Sequence, residues 1–446
     1  MDKYDLIVIG AGPAGYKAAE LAAKRFSVAL FENAFAGGVC LNEGCVPTKS
    51  LLHTAKQYYA VKSFAVPGVG AAGAPDWRKI MHNKEKQIKI LRAGVTKGLK
   101  DTGVAFIRER AVILGKRDGL FEVESPSGRV CSERLLIATG SEPVAPPVKG
   151  LDEAMARGRA TFSSGALDID GIPETFAVIG GGVIGAETAA MYAMFGARVT
   201  LCEAESALTA SPDSDCRALI KKTLERLGVT VLLSAKVNEI LPDGIKVSVA
   251  GEETEVPAEK ILVCTGRKPR LTGYGLENLS PKIERGIVCD EYMRTSVPGM
   301  WVAGDVNGKM MLAHKAYREA ETAVKDMFGA SEKMRYDSVP SVVYLEPEFA
   351  SVGACCGEGL KEYVFPAAYS PRYVTESAER DGFVKFVVDP VRRVLAGAHL
   401  AVPYASEIIG APAAFIHMQT PLGEIKKLCF PHPGVAELIS LIPDEF

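Results

Sequence analysis

The sequence predicts an α/β chain, in which one strand–turn–helix–strand unit is used twice and a region of α+β texture follows. Two observations carry that prediction. The stretch "YDLIVIGAGPAGYKAAELAAKRFSVALFEN" near the start returns in pattern as "TFAVIGGGVIGAETAAMYAMFGARVTLCEA" further along. From residue 336 no glycine-rich turn of that kind recurs, and strands and helices with a different rhythm take over.

Each copy opens on a short apolar strand that runs into G-x-G-x-x-G, at Gly10, Gly12 and Gly15, then at Gly180, Gly182 and Gly185. An Ala-rich helix, a second apolar strand and an acidic residue follow, Glu32 in the first copy and Glu203 in the second. The first glycine permits a tight turn. The second lets backbone approach a pyrophosphate, and the third packs helix on strand. The helix N-terminus presents free N–H groups and a positive dipole end to that pyrophosphate. The glutamate can accept hydrogen bonds from an adenosine ribose. The echo continues in "RLLIATGSEP" and "KILVCTGRKP", where a strand ends in Thr139-Gly140 and in Thr265-Gly266 and turns back towards the ligand.

Two Rossmann-like dinucleotide-binding domains are therefore expected, over residues 1–150 and 151–270. Residues 271–335 contain "MWVAGD", a strand ending at Gly304-Asp305 ahead of an Ala-rich helix. This segment is expected to return and complete the first domain. Asp305 suits a ligand hydroxyl, or equally a helix cap. Residues 336–446 read as a C-terminal α+β domain. Its strands are "VPSVVYLEPEFASVG" and "GFVKFVVDPVRRVLAGAHLAV", and its helices "YASEIIGAPAAFIHMQT" and "PLGEIKKLCF".

Composition sets limits on function. The chain has 446 residues, 48% hydrophobic and 24% charged, with a formal net charge of −2. That balance leaves no basic surplus to neutralise phosphates, so nucleic acid is not an expected partner. No apolar run reaches membrane-spanning length, and "LIVIG" is too short for a signal h-region. The expectation is a cytoplasmic protein with no membrane partner.

Glu32 and Glu203 both favour a free ribose 2′-hydroxyl, and Glu205 adds to the repulsion of a 2′-phosphate, so NAD is expected over NADP. Two dinucleotides in one chain imply electron traffic, a nicotinamide delivering hydride to a flavin. Cys40 follows Glu32 by only eight residues. That tether pins Cys40 and Cys45 near the first dinucleotide, which should then be FAD, with NAD at the second.

The pair sits in "GGVCLNEGCVPTK", residues 37–49. Zinc would need four ligands where two sulfurs are local. A permanent disulfide would close a very short loop and stabilise little. In a regular helix the two Cα atoms would stand about 8 Å apart, beyond disulfide reach. Gly44 and Pro47 would supply the distortion. A dithiol that opens and closes is the third reading, and the short tether favours it. A helix beginning at Cys45 would favour a thiolate there, and Lys49 would add positive charge. Most other cysteines lie in apolar runs and read as small buried hydrophobes. His53, His314 and His417 read as packed helix residues.

With both fingerprints, "GGVCLNEGCVPTK", "WVAGD" and "HPGVAE" in this order, the whole chain resembles the pyridine nucleotide–disulfide oxidoreductases. Leu41 in "CLNEGC" and "PYASEIIG" are most similar to the branch that oxidises dihydrolipoamide. The resemblance implies FAD and NAD as cofactors and Cys40 as the interchange thiol facing substrate. It also implies Cys45 as the charge-transfer thiol, and Lys49 and Glu187 as a pair beside the flavin–nicotinamide contact. His432, oriented by Glu437, would be the acid–base serving the partner's dithiol in a homodimer. Gly266, like Gly140, would line a dinucleotide. The implied partner is dihydrolipoamide on a lipoyl carrier protein of a 2-oxoacid dehydrogenase or glycine cleavage complex. Two departures stand out. The family's His-Ala-His-Pro-Thr is Phe430-Pro431-His432-Pro433-Gly434 here, and Glu43 replaces a small apolar residue.

Overall fold

The computed structural model describes residues 2–63 and 73–444. The chain falls into two compact units. One comprises Met1–Ser50, Met81–Val144 and Arg267–Met334, the other Leu51–Ile80, Ala145–Gly266 and Arg335–Phe446.

The first unit is built on a seven-stranded sheet. Its parallel part runs Ala105–Ile107, Val28–Phe31, Asp2–Ile9, Gly128–Ile137 and Met300–Val302. The run Leu6-Ile7-Val8 is fully buried, which is why it is apolar without alternation. Val112–Arg117 and Leu120–Ser125 extend the sheet as an antiparallel hairpin on Gly128–Ile137. Helix α1, Pro13–Ala22, starts on a proline at its first position and packs through alanines. Helix α2 is Gly38–Glu43 and α3 is Cys45–Lys62. Helix α4, Trp77–Asp101, is long and largely exposed.

The second unit repeats the plan in a parallel sheet ordered Thr230–Leu232, Arg198–Cys202, Thr175–Ile179, Lys260–Val263 and Ala160–Thr161. Helix α5, Val183–Phe195, is buried along nearly its whole length, and α6, Ser214–Arg226, is capped by the Asp213 carboxylate. The C-terminal region adds a five-stranded antiparallel sheet ordered Ser341–Val343, Glu348–Gly353, Val394–Val402, Phe383–Asp389 and Lys361–Pro366. Its core joins Val352, Phe386, Ala398 and Leu400 to Phe415, Ile425 and Leu438 of the short helices that follow. Helix α7, Ala313–Met327, returns the chain to the first unit, where it packs on α1.

Candidate functional site

The two glycine turns differ from each other very little. A Cβ on Gly10 would meet the Ala138 carbonyl oxygen at 2.4 Å, and one on Gly180 the Cys264 carbonyl oxygen at 2.5 Å. A Cβ on Gly15 or Gly185 would lie 1.7 or 2.0 Å from the carbonyl oxygen of the first glycine of its own turn. The middle glycine is open by contrast, with nothing nearer than 3.9 Å at Gly12 and 3.7 Å at Gly182. Gly140 and Gly266, in the returning turns, have nothing within 4 Å. Crowded first and third positions around an open second one form the cradle that a pyrophosphate requires. Gly15→Ala is expected to force the first turn apart, and purified protein should then lack the yellow absorbance of a bound flavin.

Both acidic residues carry a duty beyond the one anticipated. Glu32 accepts hydrogen bonds from Ala11 N at 2.9 Å and Ala34 N at 3.0 Å. Glu203 accepts from Gly181 N at 2.7 Å and Glu205 N at 2.9 Å. Each carboxylate thus ties its glycine turn to the bend after its own strand, and its remaining lone pairs are what a ribose can use. In the returning turn the Thr139 hydroxyl donates to the Arg270 carbonyl at 3.0 Å, beside the open Gly140.

The cysteine segment is seated directly on the first turn. Gly37 N donates to Ala11 O at 2.8 Å, and a Cβ on Gly38 would meet Gly12 Cα at 2.6 Å. Gly37 and Gly38 have φ of 99° and 58°, so the approach needs glycine twice over. Asn42 pins α2 by donating to Ala36 O and Gly38 O, and accepts from Arg92 Nε at 2.8 Å. Helix α2 ends at Gly44, whose φ of −139° and ψ of −106° break the helix, and α3 starts at Cys45. The two cysteines therefore belong to different helices. Cys40 is half-buried and Cys45 exposed, and all ten cysteines are free. The side-chain hydrogen bond with Cys45 first, then burial, pushes the Cys40 thiol well above its ordinary range, against the pull of Lys49. Cys45 holds the N-terminal position of α3, where the helix dipole favours negative charge. Lys49 stands one turn further along the same helix. Glu43 is exposed at the end of α2.

Asp305 is held by a relay that the sequence reading did not contain. Ser141 Oγ donates to Asp305 Oδ2 at 2.7 Å and accepts from Arg267 Nε at 2.8 Å. Arg267 also donates to Ser141 O at 2.9 Å. Gly304 N donates to Glu319 Oε2 at 2.7 Å, while Asn307 Nδ2 donates to Glu319 Oε1 at 2.7 Å. Lys315 Nζ completes the set at 3.1 Å from Glu319, and both side chains are fully buried. Glu319→Ala would strand the Lys315 charge. The expected loss is about 3–5 kcal/mol of stability, read by chemical denaturation.

In the second unit, His432 Nδ1 lies 2.9 Å from Glu437 Oε2, and Gly434 N donates to Glu437 Oε1 at 3.3 Å. An ionised carboxylate only accepts, so Nδ1 carries the hydrogen in that bond. The hydrogen bond from His432, first among the causes, holds the Glu437 carboxyl below the ordinary carboxylate range. Glu187 is buried in α5 and accepts from Tyr344 N at 3.0 Å. His53, His314 and His417 are on helices as expected, but on exposed faces rather than packed ones. Cys429 is likewise exposed.

Residues 4–320 match the family model described as pyridine nucleotide-disulphide oxidoreductase, and residues 339–441 match that family's dimerisation domain. The chain is 33% identical to a dihydrolipoyl dehydrogenase of Mycoplasma genitalium, covering 98% of this chain and 97% of that protein. It is 36% identical to a dihydrolipoyl dehydrogenase of Thermus scotoductus, covering 98% and 96%. Among solved structures, a flavoprotein disulfide reductase of Escherichia coli induced by HOCl superposes with a TM-score of 0.85 at 26% identity, covering 98% and 99%. The Mycobacterium tuberculosis protein LpdA shares the fold, with a TM-score of 0.88 at 23% identity over 99% of each chain.

Proposed function

This chain belongs to the pyridine nucleotide-disulphide oxidoreductase family, and within it we propose an NAD-dependent dihydrolipoyl dehydrogenase working through FAD. The observation that supports this reading most is the Cys40–Cys45 pair, split by the Gly44 break and seated on the first glycine turn. FAD would rest on Gly10, Gly12, Gly15 and Glu32, with Gly140, Gly304 and Asp305 around it. NAD would rest on Gly180, Gly182, Gly185 and Glu203, with Gly266 beside it and Glu187 on the same helix α5. Bound there, FAD would supply two-electron chemistry between the Cys40–Cys45 dithiol and NAD.

The residues of the chain do the sulfur chemistry. His432 of one protomer takes a proton from the substrate dithiol, in the homodimer that the dimerisation domain implies. The substrate thiolate attacks Cys40 Sγ of the Cys40–Cys45 disulfide, the sulfur–sulfur bond breaks, and the electron pair goes to Cys45 Sγ. Its second thiolate then attacks the mixed disulfide and releases Cys40. Lys49 contributes positive charge beside the thiolate. The reading sets the enzyme in the cytoplasm, where free thiols persist, with a lipoyl carrier protein of a 2-oxoacid dehydrogenase or glycine cleavage complex as its partner. The test is steady-state turnover of dihydrolipoamide with NAD and with NADP. Turnover preferring NAD is expected. Rapid reduction of glutathione-type disulfides with no action on dihydrolipoamide would replace the substrate assignment.

A further inference from the structure

Helix α4, Trp77–Asp101, carries eight lysines and arginines against two acids, Glu85 and Asp101, a net charge of +6. The whole chain carries −2, so the remainder carries −8. Part of the positive charge is gathered on one stripe. Lys89, Arg92, Lys97 and Lys100 line an open surface groove, with the short side chains of Ala93 and Thr96 between them. Spacings of three and four residues keep these six on one helix face, about 16 Å from end to end. The three lysines are exposed. Lys97 pairs with Asp101, but neither Lys89 nor Lys100 forms an ion pair among the described residues. Lys89 with Arg92, and Lys97 with Lys100, stand three residues apart, where like charges weaken a helix. The stripe therefore works against the stability of α4, and an anionic partner relieves it.

The groove adjoins the redox helix. Arg92 Nε donates to Asn42 Oδ1 at 2.8 Å, and its guanidinium lies over the Phe35 ring, 3.8 Å from the centroid. Asn42 is two residues from Cys40 on α2, and its amide donates to Ala36 O and Gly38 O. One groove residue thus bonds directly to the helix that carries Cys40. Arg92 is engaged in that contact, which leaves the three lysines for a partner. A stripe of this length and exposure fits a folded partner bearing several carboxylates. A small uncharged dithiol has nothing to place on it.

We propose that α4 docks a carboxylate-rich face of the carrier protein that delivers the dithiol to Cys40. The inference rests on the dihydrolipoyl dehydrogenase reading and names the chemistry of that enzyme's macromolecular partner. Exposed lysines act mainly on encounter, raising the rate at which a protein of opposite charge arrives. The sulfur chemistry at Cys40 and Cys45 does not depend on them.

The experiment compares kcat/KM for a reduced lipoyl carrier domain of net negative charge with kcat/KM for free dihydrolipoamide. In the triple variant Lys89→Glu, Lys97→Glu and Lys100→Glu, the value for the carrier should fall about tenfold at low ionic strength. The value for free dihydrolipoamide should stay at the parental level. Near 1 M salt, where charges are screened within about 3 Å, variant and parent should converge on the carrier as well. A parental kcat/KM for the carrier at low salt would overturn the proposal. So would an equal fall for both substrates, since the stripe would then serve the fold or the dimer. Should the triple variant fail to fold, Lys89→Gln, Lys97→Gln and Lys100→Gln together carry the test, with a fall of about threefold expected for the carrier alone. Retention of the parental enzyme on duplex DNA, lost in the variant while carrier turnover is unchanged, would assign the stripe to nucleic acid instead. A parental enzyme that does not turn over free dihydrolipoamide would fail the functional reading itself, and the docking proposal with it. That failure is told apart because it involves no substitution.

Discussion

Cys45→Ser is expected to lower dihydrolipoamide turnover by at least about a thousandfold while NADH oxidation by artificial acceptors persists. The reason is stoichiometric. Without the second sulfur, Cys40 cannot close an internal disulfide, so the enzyme has no oxidised form for a substrate thiolate to attack. A serine hydroxyl cannot take up the electron pair in its place. The substitution removes one polarisable atom from an exposed position at the start of α3 and leaves the helix intact. It touches none of Gly10, Gly12, Gly15 and Glu32, which shape the first nucleotide turn. Both assays run on one preparation, so loss of fold and loss of chemistry separate. Dihydrolipoamide turnover at the parental rate would end the dithiol mechanism.

His432→Gln should cost about 10²- to 10⁴-fold in the same turnover, the usual contribution of a positioned acid–base group. Glutamine keeps a polar, exposed side chain near Glu437 but has no ring nitrogen to hold a proton. His432 is 70% exposed, so its replacement should leave stability nearly unchanged. The pH dependence of kcat/KM should flatten in the variant, since the group that moves the proton is gone. Glu437→Gln should cost less, because it leaves the imidazole and removes only the charge that orients it. Rapid-mixing measurement of dithiol reduction checks both variants. A His432→Gln enzyme with parental reduction rate would move the proton transfer elsewhere.

The glycine turns were legible because their constraint is local. Gly10, Gly15, Gly180 and Gly185 leave no room for a Cβ, and the spacing records that directly. The break between Cys40 and Cys45 was legible for the same kind of reason, since Gly44 takes a φ of −139° and a ψ of −106° that end the helix. The hairpin over Val112–Ser125 left a readable signal that went unused. Asp118-Gly119 sits between its strands, with φ of 51° and 82°, a pair of values suited to a two-residue turn. No local signal marks Ser141 and Arg267 as the support of Asp305, or Tyr16 and Tyr317 as a pair. These residues are separated by 126 and by 301 positions.

The sequence by itself determined the repeated dinucleotide-binding unit, the open middle glycine of each turn, the broken helix between Cys40 and Cys45, and the short reach from Glu437 to His432. All of these follow from backbone sterics and from spacings of a few residues. Only the tertiary structure decided what Glu32 and Glu203 do with their oxygens and which residues hold Asp305. Hydrogen bonds of that kind form between strand ends and helices far apart in the chain. Their partners are chosen by how the layers pack, and no periodicity along the chain records that choice.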